Sequence, residues 1–396
     1  MHPTQAHVDN LPRAFEIIKD MNRSGQWGED LTDAARKAVA TVLETRMNES
    51  IDQHLAEIEQ HGESDRRNGG YCRHLLTGLG DVELHVPRTR TYSANDIVGT
   101  YVRRAREVDR TILSCFVLGH STRKVSKALQ PMLGERFSAS TVSKVAKMLD
   151  ATVAAFHARS LHGRYQALLL DGVVLARKTG AGAIRRPVLV ALGLLKDGRK
   201  EVIDFRLARA ESEQEWESFL TDMRKRGFST DDLKIIIVDG GRGLLNALPT
   251  VFPNIPIQRC WAHKVRNLTD KVRRGDQKAV KRGLRRIYDA ASEKKARKMA
   301  GRFAAKWERK YPKVVHSLRE DLDELLAFFL FKDPAWRKWT RTTNAIERRF
   351  REVRRRTRPM GVFTDRTSMD RILYAVFTHE NQQQKVSTLF LVTQNS

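Results

Sequence analysis

The segment LKIIIV, from Leu233 to Val238, is the feature that most limits how this chain can fold. After Lys234 it is uncharged and rich in β-branched residues, which is typical of a strand buried on both faces of a sheet. Helical patterns flank it at Glu211 to Arg226 and at Gly243 to Leu248. Other short apolar or alternating segments occur at Ala167 to Leu170, Pro187 to Leu195, Glu201 to Leu207 and Ile255 to Gln258. Strands that alternate with helices predict a mixed or parallel sheet covered on both faces, and therefore an α/β domain.

Changes of composition divide the chain into six predicted regions, so that the whole is multidomain, α/β plus α. Before the α/β core we expect an N-terminal helical region (1–65), a basic β-hairpin region (66–104) and a helix-turn-helix-like region (105–155). The core itself is predicted in two parts, 160–264 and 337–396, separated by a basic helical insertion at 265–336. One buried apolar stripe on each helix of the insertion is the basis for that last assignment.

Positive charge points to a polyanionic partner. The 396 residues contain 72 Lys and Arg against 47 Asp and Glu, which gives a net charge of +25. Residues 264–310 alone contain 18 Lys and Arg and five Asp and Glu. A solvated surface needs no such excess of one sign, so we favour phosphate contact for this segment.

No segment predicts a membrane span or export. The longest apolar runs, such as Val188 to Leu195, fall short of the roughly 18 residues that a transmembrane helix requires, and the first residues lack the apolar stretch of a secretory signal. The three cysteines, Cys72, Cys115 and Cys260, are odd in number and far apart. We therefore expect a cytoplasmic protein with reduced thiols.

Two elements ahead of the core are candidates for DNA contact. The segment Arg66 to Arg90 combines alternating Val82, Leu84 and Val86 with Gly-Gly and Gly-Asp turn signals, which predicts a basic β-hairpin. Whether this hairpin contacts DNA or is only a small structural sheet stays open.

The second candidate is a helix-turn-helix. Ser121 is a plausible N-cap for TRKVSKAL, Pro131 and Gly134 interrupt the pattern, and Ser138 or Ser140 can cap TVSKVAKML. The second helix would present Thr141, Ser143 and Lys144 to a major groove. Because the segment between the helices is longer than the usual three to four residues, a plain helical hairpin is the alternative.

Two aspartates follow strands, each with glycine next. Asp171 comes after QALLL, and Asp239 comes after KIIIV. Because ligands gather at the carboxyl ends of strands in open α/β sheets, both carboxylates are candidates for holding a divalent cation. For Asp171 the alternative is a tight hairpin, which Asp-Gly between apolar residues favours. The glycines after Asp239, at 240, 241 and 243, are also explained by backbone geometry alone.

A third acid is Glu347 in TRTTNAIERRFREVRRRTRPMG. Asn344 as N-cap with Glu347 at N3 would form a capping box. Alternatively, seven arginines between Arg348 and Arg358 keep the Glu347 carboxylate ionised beside DNA phosphates. The two interpretations are compatible, and both stay open.

Cys260 and His263 in QRCWAHKVRN have the spacing of metal ligands on one side only. A structural zinc site takes four ligands, and the other cysteines offer no matching pair. We therefore favour His263 as polar lining near a strand end, with Trp261 packed beside it.

Taken together, these blocks resemble the Mutator-type transposases of bacterial insertion sequences over nearly the whole chain. The resemblance rests on RNGGYCRHLLTGLGDVELHVPRTR, LGHSTRKVSKAL, FSASTVSKVAKML, LLLDGVVL, ARAESEQEWESFL, IIIVDGGRGLLNALPTVFP, QRCWAHKVRN and TTNAIERRFREVRRRTRPMGVF, in that order. The chain departs from many relatives after Glu347, where Arg-Arg-Phe replaces a Ser-Leu-Asn-like run.

The resemblance implies an RNase H-like catalytic core with an Asp-Asp-Glu triad, here Asp171, Asp239 and Glu347, and a helical insertion between the second and third acids. The family's Cys-x-x-His block maps onto Cys260 and His263. The resemblance also implies a bacterial protein of the cytoplasm and nucleoid, a homodimer on paired DNA ends and an excised circular intermediate.

We therefore expect a transposase that cleaves phosphodiester bonds at element ends and transfers the strand into target DNA. Two Mg²⁺ or Mn²⁺ ions held by the three acids would activate water or a 3′-hydroxyl and stabilise the leaving oxygen. His263 and nearby arginines would position the scissile phosphate. One alternative is a non-catalytic, sequence-specific DNA-binding protein on the same scaffold, and another is a nuclease without strand transfer.

The expected partner is double-stranded DNA, comprising the terminal inverted repeats, which residues 105–155 would recognise, and the target. We expect the duplex to lie along the basic insertion and the start of the Glu347 helix. The side chains predicted to contact DNA are Arg348, Arg349, Arg351, Arg355, Lys264, Arg266, Arg273, Arg274, Arg285, Arg286, Arg123, Lys124, Thr141, Ser143 and Lys144.

Overall fold

The computed structural model describes residues 26–99, 103–117, 120–133, 137–179, 182–357 and 366–393. It divides into two compact units. The first unit takes in Met1–Phe116 and Ser121–Ala146, and the second takes in Val117–His120 and Lys147–Ser396. None of the described helices is both long enough and apolar enough to span a bilayer.

The first unit begins with a long helix and a β-hairpin. Helix α1 covers Gln26–Gln60, and strands β1 (Arg67–Thr77) and β2 (Gly80–Thr89) pair antiparallel. This confirms the predicted hairpin. Its alternating residues Val82, Leu84 and Val86 are buried in one cluster with Met47 and Ile51 of α1, so one face of the hairpin is occupied by packing inside the unit.

Three short helices complete the first unit: α2 (Arg106–Val117), α3 (Thr122–Leu133) and α4 (Ala139–Ala146). The predicted N-caps are Ser121, whose hydroxyl accepts from the Lys124 N–H at 3.3 Å, and Ser138, whose hydroxyl accepts from the Thr141 N–H at 3.4 Å. The prediction that Pro131 interrupts the helical pattern is wrong. Pro131 lies in the last turn of α3, which continues to Leu133. Gly134 lies outside the described residues.

The second unit is built on a five-stranded mixed sheet. Its strands are β3 (Tyr165–Thr179), β4 (Gly182–Leu195), β5 (Lys200–Leu207), β6 (Ile235–Val238) and β7 (Ile257–Arg259), in the order β5-β4-β3-β6-β7. The pairs β3/β4 and β4/β5 are antiparallel, while β6 is parallel to both β3 and β7. The predicted mixed sheet is confirmed.

Strand β3 runs through Asp171 and Gly172 without turning. Asp171 pairs with Val190 and Gly172 with Leu189 of β4. The Asp-Gly hairpin that was the alternative at this point is therefore wrong. A local turn signal is overridden here because both sides of Asp171 continue the same ladder against β4.

One face of this sheet is covered by two helices. After α5 (Leu149–Ala158), helices α6 (Glu213–Lys225) and α7 (Arg242–Val251) follow β5 and β6. Leu168 and Leu170 of β3 share a buried cluster with Trp216 and Phe219 of α6 and Leu248 of α7. These inward positions alternate along β3, so Leu169 and Asp171 point to the opposite face.

A helical segment separates the sheet from the closing helices. It comprises α8 (Trp261–Thr269), α9 (Arg274–Tyr288), α10 (Glu293–Trp307), α11 (Pro312–Glu320), α12 (Leu322–Leu326), a 3₁₀ turn (Ala327–Leu330) and α13 (Pro334–Thr340). Its core includes Leu284, Phe303 and Val315. Buried Gln258 of β7 ties it to the sheet, since its side chain donates to Leu325 O at 3.0 Å and accepts from Phe328 N at 2.7 Å.

The other face of the sheet is covered by α14 (Asn344–Thr357) and α15 (Arg366–Thr393). The ring of Phe377 in α15 lies 5.9 Å from Phe350 of α14 and 5.3 Å from Phe205 of β5, between ring centroids. Asn381 of α15 hydrogen-bonds both backbone groups of Val202 in β5. Helices therefore lie on both faces, as predicted.

Candidate active site

Two aspartates come directly after paired residues of the central strands. Leu170 of β3 is in parallel register with Val238 of β6; Asp171 is the next residue of β3, and Asp239 directly follows the end of β6. Asp171 is only 4% exposed. Asp239 is half-buried and accepts a hydrogen bond from the Gly241 N–H at 2.9 Å. The turn that allows this passes through Gly240, whose φ of 99° suits glycine.

The surroundings of Asp171 disfavour its negative charge. Burial, followed by the charge of Asp239, raises the pKa of Asp171 to about 7; Glu347 and Glu211 act in the same direction and His263 opposes them. A buried carboxylate with acidic neighbours is costly to ionise unless a cation lies nearby. The site therefore favours a positively charged ligand.

Glu211 is a fourth acid, which the sequence reasoning missed. It directly precedes Ser212, the N-cap of α6. Burial and the charge of Asp239 raise its pKa. A Cβ added at Gly172 would lie 2.7 Å from the carboxyl carbon of Glu211, so glycine leaves room for this carboxylate. One sequence signal could have indicated Glu211: it is an acid next to a helix N-cap, in a chain where Asp171 and Asp239 were already candidate ligands.

Glu347 reaches the site from the first turn of α14. Its Oε1 lies 3.5 Å from Nε2 of His263 and 3.9 Å from the guanidinium of Arg266. The predicted cap is displaced by one residue, because Asn344 is already helical and the carbonyl of Thr343 accepts from the N–H groups of Ile346 and Glu347. His263 and Arg266 of α8 thus face the Glu347 carboxylate.

Cys260 and Thr343 hold His263 in place. The buried Cys260 Sγ accepts from the N–H and the hydroxyl of Thr343 at 3.3 and 3.4 Å, and His263 Nδ1 lies 3.5 Å from that hydroxyl. Burial acts to raise the pKa of the Cys260 thiol, but hydrogen bonds with His263 and Thr343 outweigh it and lower that pKa. The hydrogen bond with Cys260, helped by Asp171 and Asp239, raises the pKa of His263 to about 9.

The four carboxylates are near enough to affect one another's charge, yet they do not form a closed ligand cage. Within the described residues, no group of three or more His, Cys, Asp or Glu side chains has the arrangement of a metal site. The arrangement brings Asp171, Asp239, Glu347 and His263 into one site, with Glu211 as an additional member.

Two side chains predicted to contact DNA are buried instead. Arg349 is 4% exposed and donates to the carbonyls of Ala345 and Lys200, both at 3.2 Å. Lys264 is 8% exposed, donates to Ser317 O at 2.8 Å and pairs with Asp321. Because each charge is used inside the protein, we leave both out of any DNA-binding surface.

Most of the remaining predicted contacts lie at the surface. The exposed ones are Arg348, Arg351, Arg355, Arg266, Arg273, Arg274, Arg285 and Arg286 in the second unit, and Arg123, Lys124 and Lys144 in the first. Arg285 pairs with Asp289 and Arg355 with Glu352, both at 2.9 Å. Thr141 and Ser143 are half-buried.

Comparison with known proteins gives one consistent result. Residues 11–387 match the family model described as "Transposase, Mutator family". The chain is 30% identical to the transposase for insertion sequence element IS905 of Lactococcus lactis, over 87% of this chain and 89% of that protein. It is 30% identical to the transposase for ISRM5 of Rhizobium meliloti, over 88% of each, and 28% identical to the transposase for IS256 in Tn4001 of Staphylococcus aureus, over 87% and 89%.

Proposed function

Because the chain belongs to the Mutator family of transposases, we propose that it cleaves phosphodiester bonds at the ends of its insertion sequence and joins the strand to target DNA. One observation carries the proposal: Asp171, Asp239 and Glu347, which are remote in sequence, share a site where burial and then the acidic neighbours of Asp171 raise its pKa. Structural ion pairs normally neutralise buried charge, whereas this site accumulates it.

The sheet supports an RNase H-like core. Three antiparallel strands are followed by two parallel ones in the order β5-β4-β3-β6-β7, with helices on both faces. In the proposed assignment, Asp171 lies on the central strand, Asp239 follows β6, and Glu347 arrives on α14 after the helical segment from α8 to α13.

The donor set suits a hard divalent cation. Carboxylate oxygens are the ligands that Mg²⁺ and Mn²⁺ prefer, and a dication would offset the repulsion that Asp171 experiences among its neighbours. We propose that Asp171, Asp239 and Glu347 hold two such ions. When bound, these ions would activate water or a 3′-hydroxyl and stabilise the leaving oxygen.

His263 and Arg266 are proposed to bind the scissile phosphate. His263 is fixed by Cys260 and Thr343, and its raised pKa favours the protonated ring that an anion needs. Arg266 lies beside the same Glu347 oxygen. Both side chains therefore place positive charge beside Glu347, where we propose that the phosphate binds.

The other DNA contacts follow from exposure. We propose that α3 and α4 read the terminal inverted repeats through Arg123, Lys124 and Lys144, while Arg348 and Arg351 on α14 bind phosphates. Action as a homodimer on paired ends, in the cytoplasm and at the nucleoid, belongs to the same proposal.

A cleavage assay on element-end DNA with Mg²⁺ tests the mechanism. We expect Asp239→Asn to lower the rate by more than about 100-fold, the upper range for losing even a second-shell group of a metal site. Asp323→Asn is the matched control, since that side chain is 86% exposed, and it should cut like the parent. Equal cutting by Asp239→Asn would refute the mechanism. A labelled target plasmid in the same reaction separates strand transfer from hydrolysis.

A further inference from the structure

A cavity of about 590 Å³ lies in the second unit, next to the acidic site. Its lining residues come from α8, from the ends of α9 and α13, from the first turn of α14 and, at Lys200, from β5. Three aromatic residues are among its lining: Tyr288 and Trp339 are half-buried, and Trp261 is only 1% exposed. Of the residues that line it, the proposed function gives a role only to Arg348, as a phosphate contact.

The cavity is basic as well as aromatic. Lys200, Lys338, Arg341 and Arg348 line it, and no described lining residue is Asp or Glu. The ammonium of Lys200 lies 5.1 Å from the Trp339 ring centroid. Arg341 stacks 5.1 Å from the Tyr288 centroid and pairs with Asp289, which lies outside the lining, at 2.7 Å. Such walls suit a ligand with an aromatic face and a negative charge.

The cavity and the acidic site share two helices. On α8, Trp261 and Val265 line the cavity while His263 and Arg266 face Glu347. On α14, Arg348 lines the cavity one residue after Glu347. The same two helices therefore carry both the lining of the cavity and the proposed reacting groups.

A basic groove continues from the cavity along α9. It has a volume of about 560 Å³ and is lined by Arg274, Lys278, Lys281, Arg282 and Arg285. Val265 and Tyr288 belong to both the groove and the cavity, so the two spaces adjoin. The spaced cations can follow a phosphate backbone up to the cavity.

We propose that the cavity holds the base and phosphate of one unpaired nucleotide of the DNA strand being processed, while the adjoining backbone lies along the α9 groove. The size is that of a small-ligand site and leaves no room for a duplex. Aromatic walls stack a single base, and the cations bind its phosphate. The inference rests on the proposed action on DNA.

Binding by the full chain in EDTA tests the cavity without cleavage. The probes are two labelled 20-base-pair duplexes of one arbitrary sequence, one blunt and one with a three-nucleotide 3′ tail. We expect the tailed probe to bind roughly tenfold tighter, within the range for stacking a base on an aromatic side chain. Trp339→Ala should reduce this ratio to below about twofold, and Trp339→Phe should keep most of it.

The groove variant Lys278→Gln/Lys281→Gln separates the contribution of the phosphate backbone to binding from that of the base. It should weaken both probes alike and reduce the slope of log affinity against log salt by about 1.8, at roughly 0.9 per phosphate contact. Its tailed-to-blunt ratio should stay that of the wild type, because the cavity walls are intact.

Three results would overturn the inference: equal binding of both probes by the wild type, a preserved ratio in Trp339→Ala, or equally tight binding of a tail made of abasic sites. Failure of the proposed function has a different signature. A chain that cuts no element-end DNA with Mg²⁺ but keeps the Trp339-dependent ratio would refute cleavage and support the cavity. A chain that cuts element-end DNA but binds the tailed and blunt probes equally would support cleavage and refute the proposed role of the cavity.

Discussion

Two regions of the second unit treat buried charge in opposite ways. At the base of the helical segment, Lys264 is buried against Asp321, and Arg259 adds a second cation 3.0 Å from the same carboxylate. At the sheet, Asp171 is equally buried but lies among the charges of Asp239, Glu347 and Glu211. In the first arrangement cations of the chain neutralise the carboxylate, whereas in the second the three acidic neighbours outnumber His263, so we expect a cation from outside to bind there.

The difference separates a structural charge from a functional one. Removing either partner of a buried ion pair destabilises the folded protein, because the remaining charge has lost its counter-charge. Removing one member of a cluster of like charges, or adding a counter-ion, stabilises the folded protein. Stability measurements on the metal-free and metal-loaded protein therefore distinguish the two regions independently of activity.

The largest expected effect is at the complete pair. Lys264→Met should lower the free energy of unfolding by about 3 kcal/mol, the lower end of the range for breaking a buried pair, because Asp321 loses one buried partner and keeps Arg259. Denaturant unfolding measures this. Lys271→Met, in the exposed turn that follows the same helix, is the control and should change stability by less than about 0.5 kcal/mol. If the two variants are equally stable, the pair at Lys264 contributes nothing and the contrast fails.

Counter-ion binding at the acidic site comes next. Adding Mg²⁺ at about 100 times its dissociation constant should stabilise the wild type by about 2.7 kcal/mol through binding to the folded state. Thermal unfolding with and without EDTA measures the shift. Asp239→Asn should lose most of the shift, whereas Asp323→Asn should keep it. Equal shifts in these two variants would place the ion elsewhere.

Removing the buried member of the cluster should stabilise the metal-free protein. Asp171→Asn relieves like-charge repulsion in a site arranged for a ligand, and gains of about 0.5–2 kcal/mol are usual for such changes. Unfolding at pH 8 in EDTA, where the wild-type carboxylate is ionised, measures it; cleavage should be lost in the same variant. A destabilised Asp171→Asn would mean that the carboxylate is already compensated inside the chain.

The sequence predicted the sheet better than the surface. A buried strand such as LKIIIV can be recognised from its own residues, and this pattern placed Asp239 at a strand end. The path of β3 through Asp171 depends on pairing with β4, which no local pattern contains. The burial of Lys264 and Arg349 depends on which face of a helix meets its neighbours, and a run of charges does not encode that.

The smallest expected change in stability tests how closely the acids are gathered. In Gly172→Ala the three atoms nearest to the new Cβ all belong to the flexible end of Glu211, whose carboxyl carbon would lie 2.7 Å away. The side chain can move aside, and alanine is better than glycine within a strand, so stability should change by less than about 1 kcal/mol. Displacing Glu211 would weaken its repulsion on Asp239 and shift the groups around the proposed ions. We therefore expect about tenfold slower cleavage.

Glu211→Gln separates the effect of the side chain's position from that of its charge, because it keeps the size and removes the charge. If Glu211→Gln cuts at the wild-type rate while Gly172→Ala is slow, Glu211 acts by filling space and is not part of the charge cluster.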